Sequence, residues 1–383
     1  MNTVLFACMD ADTLGGIQRV THTVAQGLAG RGHEVHVVGL HRAERPFRYV
    51  ERPAYHHHVI HGTLVGKVSR AAVRREHRRL AGLFGRLAPG FAVMTSPGVV
   101  TRLKSLLPGH LLPIGQYHGS YQHARGSWHL RSVRGHYGGL EKAVFVSEDD
   151  AWLFSEHALL PNTWSLPNPL PAWPSRASGL TGRRVLGVGR LEGVKRFDRL
   201  ISAFALACRG AAGSPERRAA AGGPGAVDGR AAMDGWELHL IGEGAERERL
   251  HAHALACGVA DRVVFRGAVP AADMGLEYLG GAVLGLSSEH EGLPLVVGEA
   301  ASYGVPSVAF DVSGGVRSLV LDAETGLLVP PADVDAFAAA LVRLAGSADE
   351  RRRLGAAARA HVGQFRLDRV LDRWEELFEH VTR

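Results

Sequence analysis

With 383 residues, 46% of them hydrophobic, the chain is longer than one hydrophobic core usually spans and too apolar for a disordered polymer, so two ordinary domains are expected. Lys and Arg number 44 against 38 Asp and Glu, a formal charge of +6; this is a weak bias towards anionic ligands, and no nucleic-acid partner is expected. Cys8, Cys208 and Cys257 are few, widely spaced and odd in number, which excludes a disulfide framework and a thiolate metal cluster as organising features.

The N-terminus enters an apolar run at Val4 without a basic leader and soon reaches Asp10 and Asp12, unlike a signal peptide. No run approaches the roughly 18 apolar residues that span a bilayer. The expected location is the cytosol, with peripheral contact at the inner membrane surface as an open alternative.

Val4 to Cys8 predicts a buried first strand, and the loop from Met9 to Gly16 feeds a helix with apolar residues at Val20, Val24 and Leu28. Arg31-Gly32-His33 ends that helix before a strand at Val35 to Val38, so the segment is a βαβ unit of a parallel sheet. His56, His57 and His58 form a tract in which consecutive residues do not naturally face one metal. Arg70 to Leu80 interleaves cations with an apolar stripe continuing through Leu83, Phe84 and Leu87. Arg74 and Arg78 on this helix either meet anionic lipid or a charged acceptor, or form an ordinary solvated face.

Further strands are predicted at Phe91 to Thr95, Leu111 to Gln116 and Ala143 to Ser147. Pro167, Pro169, Pro171 and Pro174 then mark an interdomain linker. A second series follows, with strands at Arg184 to Val188, Trp236 to Ile241, Val263 to Gly267, Ala282 to Leu286 and Ser307 to Phe310. Helices are predicted over Phe197 to Ala207 and Arg247 to Cys257, with Cys257 packed inside the second. Gly210 to Asp234, poor in large apolar residues, predicts a surface insertion, and Phe365 to Phe378 predicts one terminal packing helix.

The residues that carry chemistry fall at strand ends. Gly15 and Gly16 follow the first strand, where a loop without side chains either brings amides against a phosphate or sugar, or is a plain tight turn. Gln116 to Ser120 follows a later strand and offers His118 as a hydrogen-bond donor to a reacting group, with His123 as its competitor. His22 is expected on the helix surface. Gly189-Arg190 and Lys195-Arg196 either hold a diphosphate or begin a solvated helix. Gly242-Glu243-Gly244 superficially suggests a dinucleotide fingerprint, but Arg247 stands where the third glycine belongs. Glu291 and Glu299 bracket Gly292-Leu293-Pro294, where Pro294 can open a helix whose amides face an anion or a polar ligand; the two carboxylates either hold sugar hydroxyls or are a solvated turn Glu and an exposed helix Glu.

In their order these motifs resemble glycosyltransferase family 4. The matching stretches are Gly15-Gly16, Gly189-Arg190-Leu191 with Lys195-Arg196-Phe197, Leu240 to Gly244, Val264 to Gly267, Ser288 to Pro294 through Glu299-Ala300, Gly304-Val305-Pro306, Gly314-Gly315 and Thr325 to Pro330. The resemblance implies an α/β chain of the GT-B fold, two Rossmann-like doubly wound domains facing across a cleft. Residues 1–170 would form the acceptor-side domain, 171–364 the nucleotide-sugar-binding domain, and 365–383 a terminal helix packing back on the first.

It further implies an enzyme, a retaining transferase that moves a sugar from a nucleotide diphosphate-sugar, UDP preferred, to a hydroxyl of a glycan, lipid-linked, anionic-polymer or small-molecule acceptor, with no metal or other cofactor. Glu291 would contact the sugar and Glu299 the ribose; Arg190 and Lys195 would hold the diphosphate. Leu295 and Val296 would offer amides to phosphate. Gly244, Gly15 and Gly16 would line the donor site, and His118 matches the family's active-site histidine near the transferred sugar. Leu293 stands where the family commonly has Phe, and Gly298 precedes Glu299. Phe310 to Gly315 and Val146 to Asp150 add a likeness to enzymes building cell-surface polysaccharides or teichoic acid-like polymers. The alternatives are a noncatalytic nucleotide-sugar or glycan-binding protein and a nicotinamide oxidoreductase.

Overall fold

The computed structural model describes residues 1–61, 70–210 and 229–382, with residues 70–72 described by backbone alone. The chain divides into two compact units, Met1–Ala172 with Phe365–Arg383, and Trp173–Gln364. Among the described residues, no helix is long and apolar enough to cross a membrane.

The first unit holds seven parallel strands, β1 (Thr3–Asp10), β2 (Glu34–His41), β3 (His56–His61), β4 (Gly90–Met94), β5 (Leu111–Tyr117), β6 (Lys142–Phe145) and β7 (Thr163–Ser165), in the order β3-β2-β1-β4-β5-β6-β7. The central strands are continuous apolar runs because both faces are covered: Val4 to Cys8 are each no more than 1% exposed. β3 lies at the sheet edge, with only Ile60 fully buried, so its sequence shows no apolar run. The histidine tract lies on this strand and alternates faces. His56 and His58 stack with His36 of β2 at 4.8 and 5.3 Å, whereas His57 meets His22 edge-on at 5.5 Å from the other side.

The terminal helix, Leu367–Thr382, buries Val370, Leu371, Trp374, Leu377 and Phe378 along one stripe. Phe378 stacks on Phe91 at 4.4 Å and Trp374 meets Phe6 edge-on at 5.5 Å. Gly27 lets Leu371 approach, since a Cβ there would lie 2.6 Å from its Cδ1. Arg31 fixes the helix from outside through Asp372 at 2.8 Å and Glu375 at 2.6 Å. The proline-rich segment is packed as well: Leu166 to Leu170 are buried, and the Leu170 amide donates to the Phe365 carbonyl at 2.7 Å.

The second unit holds six parallel strands, β8 (Arg184–Val188), β9 (Glu237–Ile241), β10 (Val263–Gly267), β11 (Val283–Leu286), β12 (Ser307–Phe310) and β13 (Gly326–Val329), ordered β10-β9-β8-β11-β12-β13. Phe204 of helix Phe197–Cys208 and Phe337 of helix Val334–Gly346 belong to one buried cluster with Trp236, Leu240 and Phe310. Of the expected surface insertion, residues 211–228 lie outside the described residues. Its end corrects the expectation: Gly229–Ala232 is helical and Met233 is fully buried in the core, a single large apolar side chain that composition over the whole segment had masked. Cys257 caps the helix Arg247–Ala256 rather than lying inside it.

Strand order reverses between β1 and β4 in the first sheet and between β8 and β11 in the second. The carboxyl ends of such neighbouring strands leave a crevice where ligands bind in open α/β sheets. The loop after β1 carries Gly15, and the loops after β8 and β11 carry Lys195 and Glu291.

Candidate functional site

In the second unit the loops that leave β8 and β11 are tied together. The Glu289 amide donates to the Val194 carbonyl at 2.9 Å and the Ser287 hydroxyl to the Lys195 carbonyl at 2.9 Å. This backbone clamp holds two side chains 96 residues apart in one ion pair, Lys195 Nζ donating to Glu291 Oε1 at 2.7 Å. The two side chains are 24% and 11% exposed, so the pair is largely shielded yet reachable. Arg190 stays outside it, 71% exposed and paired with Glu192 at 2.7 Å. Arg196 is committed to Asp198 through two bonds of 3.1 and 2.9 Å.

Three glycine contacts set the shape of these loops. Gly242 has φ +141°, and a Cβ on it would lie 1.9 Å from the Gly189 carbonyl oxygen, so only glycine lets the turn after β9 press against the loop after β8. Gly244 packs likewise on the Leu191 backbone, with a Cβ position 2.3 Å from its carbonyl. Gly315 does the same for the acidic loop, its Cβ position falling 1.7 Å from the Gly292 carbonyl.

Pro294 occupies the residue before the helix, with ψ 96°, and the helix runs Leu295–Ser302. Among the described residues no side chain caps it, and the first amides, Leu295 and Val296, are those a helix start leaves without an intrahelical acceptor. Glu299 lies one turn further along, half-buried, and its Oε2 accepts the phenolic proton of Tyr278 at 2.8 Å. Tyr278 was missed from sequence: it lies in the short run Met274 to Leu279, where periodicity gives it no distinction from a core aromatic.

In the first unit, Gly15 begins the helix Gly16–Gly30, and its amide donates to the Tyr49 hydroxyl at 2.7 Å. Tyr49 Oη in turn donates to the Thr13 carbonyl at 2.6 Å, pinning the glycine turn from the β2–β3 connection. Among the described residues, a Cβ built on Gly16 meets nothing within 4 Å. His22 is not on the helix surface. It is 4% exposed, its Nε2 donates to the Ala11 carbonyl at 2.6 Å and its Nδ1 accepts from Tyr55 at 2.5 Å, so a polar wall behind the loop explains its burial. Burial pushes its pKa down.

His118 directly follows β5, and both of its ring nitrogens are buried, with no hydrogen bond of full geometry among the described residues. Burial pushes its pKa down to about 4, against the weaker opposing influence of the Asn168 side chain, so it is a neutral imidazole near neutrality. His123 is exposed. Arg74 and Arg78 lie exposed on the helix Arg70–Phe84, with Arg75 and Arg79 beside them. Glu76 turns inward instead, 1% exposed, and takes Arg102 through bonds of 2.6 and 2.5 Å and His61 at 2.9 Å. Burial alone would raise its pKa, but Arg102 and His61 hold the carboxyl below its usual range. Among the described residues, no group of three or more His, Cys, Asp or Glu is arranged to hold a metal ion.

Residues 175–361, most of the second unit, match the family described as glycosyl transferases group 1. Over 99% of its length the chain is 28% identical to an exopolysaccharide phosphotransferase of Streptomyces coelicolor, of which it spans 41%. It is 24% identical to an uncharacterized glycosyltransferase of Haemophilus influenzae, with 98% of this chain and 99% of the relative covered. Among solved structures, the Anabaena protein HepE in complex with UDP superposes with a TM-score of 0.74 at 16% identity, covering 99% of this chain and 100% of that one. The chain is thus a homologue of glycosyltransferase enzymes, with two Rossmann-like α/β domains of the GT-B fold and a glycosyl transferases group 1 sequence in its second unit.

Proposed function

We propose that the protein is a retaining glycosyltransferase that moves a sugar from a nucleotide diphosphate-sugar, with UDP as the nucleotide, to a hydroxyl of a glycan, lipid-linked or anionic-polymer acceptor in the assembly of a cell-surface polysaccharide. The observation that carries this reading is the Lys195–Glu291 pair at 2.7 Å, where the strand order of the second sheet reverses. An ammonium has three donors and a carboxylate about four acceptor sites. Lys195 therefore keeps donors for a diphosphate while one is given to Glu291, and Glu291 keeps acceptor positions for sugar hydroxyls.

On this reading Arg190 and Lys195 stabilise negative charge on the diphosphate as the glycosidic bond breaks. Arg190 is bound to Glu192 at an exposed site, an interaction of small worth, so turning its guanidinium to a phosphate costs little. The amides of Leu295 and Val296 face the same charge at a helix start. Glu299 takes the ribose, and Gly244 shapes the nucleotide edge. The bond from the anomeric carbon to the phosphate oxygen breaks, the acceptor oxygen bonds to that carbon on the same face, and the departing phosphate oxygen takes the acceptor hydroxyl's proton, giving retention. Within the first unit, Gly15 and Gly16 offer a turn free of side chains and His118 a neutral hydrogen-bonding imidazole. No step requires a metal or other cofactor.

The exposed Arg74 and Arg78 would hold the protein against an anionic membrane surface on its cytoplasmic side. Salt-dependent binding to vesicles containing anionic lipid is expected, and no retention at low salt would remove this part. The transfer reading is tested by incubating a panel of UDP-, GDP- and ADP-sugars with separate acceptors. Nucleoside diphosphate should be released only with a compatible pair. Binding without turnover across the panel would favour a noncatalytic nucleotide-sugar-binding protein instead.

A further inference from the structure

The helix Met274–Gly280 stands between β10 and the helix that bears Glu299, and two adjacent side chains anchor it on both sides. Glu277, 7% exposed, accepts from Arg266 of β10 through Nε at 3.2 Å and Nη2 at 2.6 Å. Tyr278, 2% exposed, gives its phenolic proton to Glu299 Oε2 at 2.8 Å. Its ring is fixed by stacking on Tyr303 at 5.4 Å with planes 29° apart. Gly275 makes room for that stack, because a Cβ there would lie 2.6 Å from the Tyr303 hydroxyl.

A buried phenol whose ring is stacked on Tyr303 is restricted in the direction in which it donates. A glutamate on a helix, by contrast, has three rotatable bonds and presents its carboxylate in many directions until something selects one. We propose that Tyr278 is a positioning residue for the nucleotide ribose. Its hydroxyl fixes the Glu299 carboxylate in the orientation that accepts from the ribose hydroxyls, and so sets the preference for a ribose over a deoxygenated sugar. This deepens the donor-site reading above and rests on it. A hydrogen bond to a charged group contributes enough to make the effect measurable.

The test measures binding, by titration calorimetry, of whichever of UDP, GDP and ADP binds best and of its 2′,3′-dideoxy counterpart. The proteins are the wild type, Tyr278→Phe, Glu299→Gln and the double variant. Tyr278→Phe keeps the ring and its stack, and should weaken the ribose nucleotide about tenfold while leaving the dideoxy nucleotide unchanged. In the Glu299→Gln background the Tyr278→Phe change should add less than twofold. Equal weakening of both nucleotides by Tyr278→Phe, or of neither, overturns the proposal while the ribose role of Glu299 survives. A Glu299→Gln protein that still prefers the ribose nucleotide by the wild-type factor overturns the ribose reading itself, and Tyr278 with it. Should Tyr278→Phe fail to fold, Glu299→Asp withdraws the carboxylate by one methylene and must show the same selective loss, and a loss shared by both nucleotides again overturns the proposal.

Discussion

His118 makes the stability of the protein depend on pH in a direction that its surroundings dictate. Its ring nitrogens are buried with no hydrogen bond of full geometry among the described residues, and burial lowers its pKa from 6.5 to about 4, so the folded protein resists a proton that the unfolded chain accepts. Between these two values the unfolded state binds more protons, and stability falls as pH falls. The advantage of the neutral ring is full above 6.5 and is lost on descent towards 4. A gap of about 2.5 pH units at 1.36 kcal/mol each amounts to about 3 kcal/mol by pH 4. Urea unfolding followed by circular dichroism at pH 7, 6, 5 and 4 should therefore show the wild type losing about 3 kcal/mol more than His118→Gln, whose side chain does not titrate. Parallel pH dependences for the two proteins would show that the imidazole is hydrated or hydrogen-bonded in solution, and would refute the reasoning. The same ring state predicts that transfer activity has no inflection near pH 6.5 that His118→Gln removes.

Lys195→Ala should lower kcat about a hundredfold, the roughly 3 kcal/mol of a lost donor to developing charge, measured as nucleoside diphosphate release, with the thermal midpoint changed by only a few degrees because its ion pair is partly solvated. Glu76→Ala should destabilise the first unit by about 3 kcal/mol in chemical unfolding, at the low end for a broken buried pair because Arg102 remains 23% exposed to water. Trp374→Ala removes a side chain that is 1% exposed and should cost about 3–5 kcal/mol. In calorimetry that loss should appear in the first unit's transition and leave that of Trp173–Gln364 in place.

The parallel architecture was legible because its central strands are apolar without alternation, as at Val4 to Cys8 and Val283 to Leu286, and because glycine-rich turns separate them from helices. The edges were not. His56 to His61 pairs with only one neighbour and keeps polar side chains on both faces, so the strand rule had no apolar pattern to find. Within the candidate site, Lys195 and Glu291 were both legible as charged residues after strands, but their bond across 96 residues depends on β8 and β11 being neighbours in the sheet, which local pattern does not encode. The same holds for Tyr49 at the Gly15 turn and Tyr278 at Glu299. Each is an aromatic residue whose ring packs like any other and whose hydroxyl alone carries the contact. His22 was misread for a related reason: the helix face it occupies is polar because Tyr55 and the Ala11 carbonyl meet it there.

The helix Leu367–Thr382 fills the first unit's core with Trp374 and Phe378, although the whole of Trp173–Gln364 intervenes in the chain. Domains fold as units while the ribosome delivers them from the N-terminus. Here the sheet made first must leave Phe6 and Phe91 uncovered until residues 367–382 emerge, by which time the second unit has all of its own sequence. A nascent chain stalled before Leu367 should therefore expose that apolar face to chaperones, and the part translated first is completed last.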